Sequence, residues 1–171
     1  GAKFSGSSLA LSGTGTKTTT LTVADGGTLS DLEVEVSLNY VDLRYLKLQL
    51  ISPAGTVVTL ASGSQAGGGL FSGSAAFRTI FDDETSSTIT TNGVPYIGPH
   101  SPATALSAFD GESITGTWTL VVYASNSYSY SGSISEWSIF TETNGSPAST
   151  PPNFGAKFSG SSLALSGTGT K

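Results

Sequence analysis

The sequence contains no cysteine and no methionine. Their absence excludes disulfides, thiolate metal sites and thiol redox chemistry, and it removes the two side chains most prone to oxidation. Such a composition suits an exposed extracellular protein. Charge is scarce as well: 11% of residues are charged, against roughly 25% in typical soluble domains, so the surface must be polar through Ser, Thr, Asn and Gly. The net charge is −5, which argues against nucleic acid or an anionic membrane as a partner, because both select basic patches. No apolar run approaches the ~18 residues that a membrane span needs, so no membrane insertion is expected, and no signal peptide is read. A mature or excised fragment would look the same. Sustained i, i+3, i+4 apolar stripes are missing too, which excludes a helical architecture.

What the chain does have is a repeated opening. Residues 1–17, GAKFSGSSLALSGTGTK, recur letter for letter as residues 155–171. A repeat of this kind marks a tandem array or concatenated modules. The expected organisation is one module over residues 1–143, a Pro/Ser/Thr-rich extended linker over 144–154, and the first strand of the next identical repeat over 155–171. Aromatic residues at 9%, with Val, Leu and Ile in alternating runs, supply the core material that disordered chains lack.

Alternation carries the secondary structure. Residues 4–11 read as a weak, edge-type first strand with Leu9 and Leu11 on one face. Residues 17–23 are Thr-rich and β-prone, and Asp25-Gly26-Gly27 is a tight-hairpin signal. In residues 32–40, Leu32, Val34, Val36, Leu38 and Tyr40 alternate with Glu33, Glu35, Ser37 and Asn39, the pattern of a half-buried strand whose acidic face looks to water. Residues 43–51 put Leu46, Leu48 and Leu50 inside, and Ser52-Pro53-Ala54-Gly55 turns the chain into a strand over 56–60. The glycine-rich residues 61–69 read as a loop. Short strands are expected at 77–81 and 86–91, followed by an ordered loop over 91–105, punctuated by Pro95, Pro99 and Pro102. A second strong strand places Trp118, Leu120 and Val122 on one face, residues 125–132 read as a hairpin tip, and Trp137 and Ile139 point inward from a last strand. The fold class is therefore all-β, a jelly-roll-like sandwich or barrel of about eight or nine mostly antiparallel strands.

At this point the residues carry a resemblance. The paired strands of residues 32–60 with their Ser-Pro-Ala-Gly turn, then Phe81-Asp82-Asp83-Glu84, Leu106-Ser107-Ala108-Phe109-Asp110-Gly111-Glu112, Gly116-Thr117-Trp118-Thr119-Leu120 and Trp137-Ser138-Ile139 occur in the order of one family. The chain resembles the P domain (P/Homo B domain) of kexin- and furin-type proprotein convertases, and the bacterial version attached to secreted proteins more closely still. The resemblance runs from about Phe4 to Phe140, and Gly-Thr-Trp-Thr-Leu is its most specific piece. It implies a jelly-roll-like barrel that in convertases stabilises a neighbouring catalytic domain, often with calcium nearby. In bacterial proteins it implies an accessory or repeated extracellular module. The sequence departs from the family in two places: Arg44-Tyr45-Leu46 stands where Gly-Asp-Leu is usual, and Tyr123-Ala124 stands where an Asp usually follows. Both missing aspartates are positions that the family offers to a cation.

Several constellations invite chemistry. Asp82, Asp83 and Glu84 form the densest acidic cluster, with Asp110 and Glu112 on a second loop that the fold could bring near; Asp82, Asp83, Glu84 and Asp110 are the candidate calcium ligands, although the spacing fits no regular calcium loop. His100 is the only imidazole and is expected to be an exposed loop histidine; no G-x-S-x-G elbow accompanies it. Asp110 and Glu112 alone do not make a glycosidase pair. No catalytic residue is nominated and no enzyme activity is expected. Trp118 and Trp137 are expected in the core, whereas Tyr128 and Tyr130 sit at a serine-rich tip suited to contacts. Asn144 heads a glycosylation sequon.

The main functional expectation is a non-catalytic extracellular structural repeat, building a surface fibre, filament, sheath or adhesin stalk. Its partners would be neighbouring copies of the same module, met through Phe4, Leu9 and Leu11, their duplicates Phe158, Leu163 and Leu165, and the tyrosine tip. The alternatives are an accessory, stabilising P domain of a secreted subtilisin-like protease, and a carbohydrate-binding module. No cofactor is expected other than calcium.

Overall fold

A computed structural model describes residues 1–40, 42–63, 78–89, 97–125 and 130–144. Among these residues ten strands build two sheets. The larger sheet runs β1 (Ala2–Gly6), β10 (Ser131–Asn144), β4 (Thr28–Tyr40), β7 (Thr79–Phe81) and β8 (Gly98–His100), with β2 (Leu9–Ser12) also pairing β10. The smaller runs β3 (Gly15–Val23), β9 (Gly116–Ala124), β5 (Leu46–Ile51) and β6 (Val57–Ser62). Every pairing is antiparallel except β7 with β8. The sheets face each other as a sandwich and do not close into a barrel.

The inward faces are the ones that alternation picks out. Val34, Val36 and Leu38 from β4, Leu46, Leu48 and Leu50 from β5, Trp118, Leu120 and Val122 from β9, and Trp137 and Ile139 from β10 are all buried. Each buried tryptophan satisfies its indole N–H: Trp118 donates to the Ile114 carbonyl at 3.0 Å and Trp137 to the Thr19 hydroxyl at 3.3 Å. The second bond ties the two sheets together, because Thr19 belongs to β3 and Trp137 to β10. Phe109, in a short 3-10 turn over Leu106–Phe109, packs edge-on to Trp118 at 5.2 Å, the arrangement that the ring quadrupoles favour.

The β5–β6 hairpin forms as its turn sequence dictates. Gly55 takes a φ of 94° and donates its N–H to Ser52, while the Ser52 hydroxyl accepts from the Thr56 N–H at 3.1 Å. Other expectations need correcting. Asp25-Gly26-Gly27 is not a hairpin, because β3 pairs with β9 while β4 pairs with β10 and β7, so the turn carries the chain from one sheet to the other. The segment between β9 and β10 is likewise a crossover and not a hairpin tip. The first strand is two strands, β1 and β2, both laid along β10. Residues 43–45 form a 3-10 turn ahead of β5, with Asp42 as its cap. The expected strand at 86–91 reduces, within the described residues, to a single bridge between Thr88 and Ser101.

The outer face of β4 is not simply solvated. Glu35 is 9% exposed and Ser37 0%. Arg78, just before β7, bridges Glu35 and Glu136 across the sheet, which supplies the partner that a buried carboxylate requires.

Candidate functional site

Three places could carry function: an acidic loop cluster, a groove at one end of the smaller sheet, and the edge of β10. In the acidic cluster the loops after β7 and before β9 do come together. Asp83 accepts the Leu106 and Ser107 N–H groups at 2.9 and 2.8 Å, so its carboxylate caps the 3-10 turn that carries Phe109. Asp82 accepts the Glu84 N–H at 2.8 Å. The neighbouring charges leave their mark on protonation. The Glu84 carboxyl is pushed up to about 7, chiefly through its hydrogen bond with Asp82, with Asp31 and Asp83 adding repulsion. Burial raises Asp110, helped by Asp31 and Asp83, and burial raises Glu33, helped by Asp82 and Asp31. Asp31 and Glu33, on β4, thus belong to this patch, which sequence spacing alone did not reveal. Among the described residues, no three acidic or imidazole groups converge in a way that could hold a metal ion. Glu112 turns elsewhere and accepts the Thr56 hydroxyl.

The groove is lined by Arg44, Tyr45, Lys47, Ser62, Tyr123 and Ser125. Lys47 and Tyr123 are register partners on β5 and β9. The Arg44 guanidinium grips the Asp42 carboxylate at 2.6 to 3.1 Å and lies 5.8 Å from the Tyr45 ring centre; that hydrogen bonding holds the Asp42 carboxyl below its usual range. Tyr45 and Tyr130 meet at 5.8 Å, and Tyr130 in turn meets Tyr40 at 6.3 Å. Arg44 and Tyr45, from one departure from the P-domain pattern, and Tyr123, from the other, therefore line one groove. A guanidinium and phenols occupy the end of the sandwich where the resemblance implied carboxylates.

The nominated contact residues fall differently. Leu11 is 3% exposed, and Phe4, Leu9 and Tyr130 are partly buried, all packed on the core of their own domain. Tyr130 is thus anchored and not a free tip residue. Tyr128, Phe158, Leu163 and Leu165 lie outside the described residues. Asn144 is exposed at the end of β10, opposite Thr28, and the rest of its sequon lies outside. His100 is a correction: it is 8% exposed and sits in β8, its Nδ1 3.0 Å from the Gly98 carbonyl. The Gly-Pro-His signal suggested a loop, but parallel pairing with β7 places the ring in the sheet.

Two mostly antiparallel sheets joined by repeated crossovers, with a tryptophan-centred core, define a jelly-roll-type sandwich domain. The proprotein convertase P-domain family model matches residues 29–141, and the chain belongs to that family. The serine protease of Aeromonas sobria is similar in two crystal structures, one of them a complex with a chaperone. Identity is 17% in both, the TM-scores are 0.48 and 0.47, and the matches cover 85% and 82% of this chain. They cover 28% and 27% of the chains matched, so this chain spans little more than a quarter of their length. Comparison with curated proteins finds no match.

Proposed function

We propose that the chain is a non-catalytic accessory P domain of a secreted protein, whose role is to stabilise a neighbouring subtilisin-like catalytic domain. The observation that carries this reading is the family match over residues 29–141, which takes in both tryptophan strands and the capped loop of Asp83. The low charge and the absence of cysteine support an extracellular setting. Among the described residues no helix is long and apolar enough to cross a membrane. The groove of Arg44 and Tyr123 supports a domain that works without calcium at that end. The test is to express the parent polypeptide with and without residues 1–144 and to measure the melting temperature and inactivation half-life of the adjoining domain. Loss of several degrees on removal is expected. An adjoining domain of unchanged stability, or none of protease type, overturns the reading.

The verbatim repeat of residues 1–17 as 155–171 favours a second reading, in which identical modules follow one another in an extracellular array with residues 144–154 as spacer. Here the parent polypeptide would show the same unit again beyond Lys171, and electron microscopy of it would show beads at regular spacing. A single unit would rule the array out.

A further inference from the structure

β10 has two edges. One pairs along its length with β4. The other is covered by β1, opposite residues 137–141, and then by β2, opposite residues 131–134. The piece that covers it is the piece the chain spells twice. Residues 1–17 contain all of β1 and β2 and only the start of β3, and residues 155–171 are identical to them. The second copy therefore carries each side chain that β10 engages in the first; it lacks only the terminal ammonium of Gly1, which lies 3.3 Å from the Glu142 carboxylate.

The fit is specific. Gly6 lies so close to the Trp137 indole that a Cβ at that position would overlap the ring, so an arbitrary strand would not seat there; the copy supplies Gly160. Thr19 donates its hydroxyl to the Ser7 carbonyl at 2.7 Å, which Ser161 reproduces. The hold is nonetheless shallow. Leu11 is the only buried side chain of β1 and β2, while Phe4 and Leu9 are half-buried. The remainder of the attachment is backbone ladder with the Ser5–Ser138 hydroxyl pair and Lys3 over the Phe140 ring, which a second strand of the same sequence supplies equally well.

The path is short. β1 and β10 are antiparallel with Ala2 opposite Thr141, so β10 ends at Asn144 beside the place where a docked copy must begin. Residues 145–154, which join the two, reach about 33 Å when extended, far more than this reversal requires. A tether of that length holds the copy at an effective concentration of order millimolar, above any ordinary concentration of a second molecule. β3 does not depend on the exchange, since it is held by β9 from Gly15 to Val23 and buries Leu21 and Val23.

We propose that residues 156–166 are an alternative occupant of the β10 edge within the same chain. The second copy folds back from β10, takes the register of β1 and β2, and releases residues 1–14, which stay tethered through β3. Because the two occupants have the same side chains, their contacts cancel in the exchange except for the exposed ion pair of the Gly1 ammonium with Glu142, and that pair and the tethers set the balance. The domain is thereby a two-state device that can present a free strand without losing a core residue.

The chain has no cysteine, so engineered pairs are unambiguous. Ser5 and Ser138 are register partners with hydroxyls 2.8 Å apart. In the full chain, Ser5→Cys with Ser138→Cys reports the first copy on β10, and Ser138→Cys with Ser159→Cys reports the second. In a glutathione redox buffer both pairs should close within monomers, the second to at least about a tenth of the yield of the first. Adding Gly6→Ala should raise the Ser138→Cys/Ser159→Cys yield several-fold, and adding Gly160→Ala should abolish it. No crosslink to position 159, a crosslink found only in dimers, or a yield indifferent to both alanines would each overturn the proposal.

Discussion

Replacing Asp83 with alanine separates a capping role from a calcium role. Both carboxylate oxygens of Asp83 are used, one on the Leu106 N–H at 2.9 Å and the other on the Ser107 N–H at 2.8 Å. Hydrogen bonds to a charged acceptor contribute about 1.5–3 kcal/mol each when well shielded. Asp83 is only half-buried, and water can solvate the Ser107 amide once the carboxylate is gone, so the loss belongs near the top of the helix-cap range, about 2 kcal/mol. For a domain of this size that is about 6 °C in melting temperature. Asp83→Asn keeps one acceptor oxygen and turns an N–H toward the other amide, so it should lose about half as much. The assay is thermal unfolding followed by circular dichroism, in chelator and again in about 1 mM calcium. Equal losses in both conditions are expected. A full-strength domain in chelator would refute the capping argument, and a loss seen only with calcium would make Asp83 an ion ligand.

The raised carboxyl of Glu84 sets a pH dependence. A folded value of about 7 against an ordinary 4.5 means that its contribution is fully present below pH 4.5 and is lost as pH rises through 7. Glu84→Gln should therefore raise the melting temperature at pH 8 and leave it nearly unchanged at pH 4.5, measured by scanning calorimetry across that range. Arg78→Met should leave Glu35, 9% exposed, without its cation; urea titration should show a loss of about 3 kcal/mol, and Arg78→Lys should recover part of it. Trp118→Phe removes the bond to the Ile114 carbonyl and hollows the contact with Phe109, at about 2 kcal/mol. Since the chain has two tryptophans, the remaining fluorescence would come from buried Trp137 and should stay blue-shifted until the domain unfolds.

Which side chains face inward was legible wherever strands alternate cleanly, as along residues 32–40 and 116–124, because strand periodicity is a property of the chain itself. The acidic patch was legible in part. Asp82, Asp83, Glu84 and Asp110 could be nominated, but the contribution of Asp31 and Glu33 depends on β4 passing beneath those loops, and the capping role of Asp83 depends on a turn lying 23 residues further along. The groove of Arg44, Tyr45 and Tyr123 was visible only as two unrelated oddities. Pairing of β5 with β9, Lys47 opposite Tyr123, turns them into one place.

By itself the sequence determined the all-β class, the inward faces, the Ser52–Gly55 reversal and the family, since each rests on short-range periodicity, turn chemistry or motif order. Tertiary structure alone decided which sheet receives each strand. A turn sequence such as Asp25-Gly26-Gly27 ends a strand and redirects the chain, yet the next partner is chosen by backbone bonds and buried surface offered by strands far away in sequence. The same reason made His100 a buried strand residue, gave Glu35 its arginine, and laid the opening of the chain along β10.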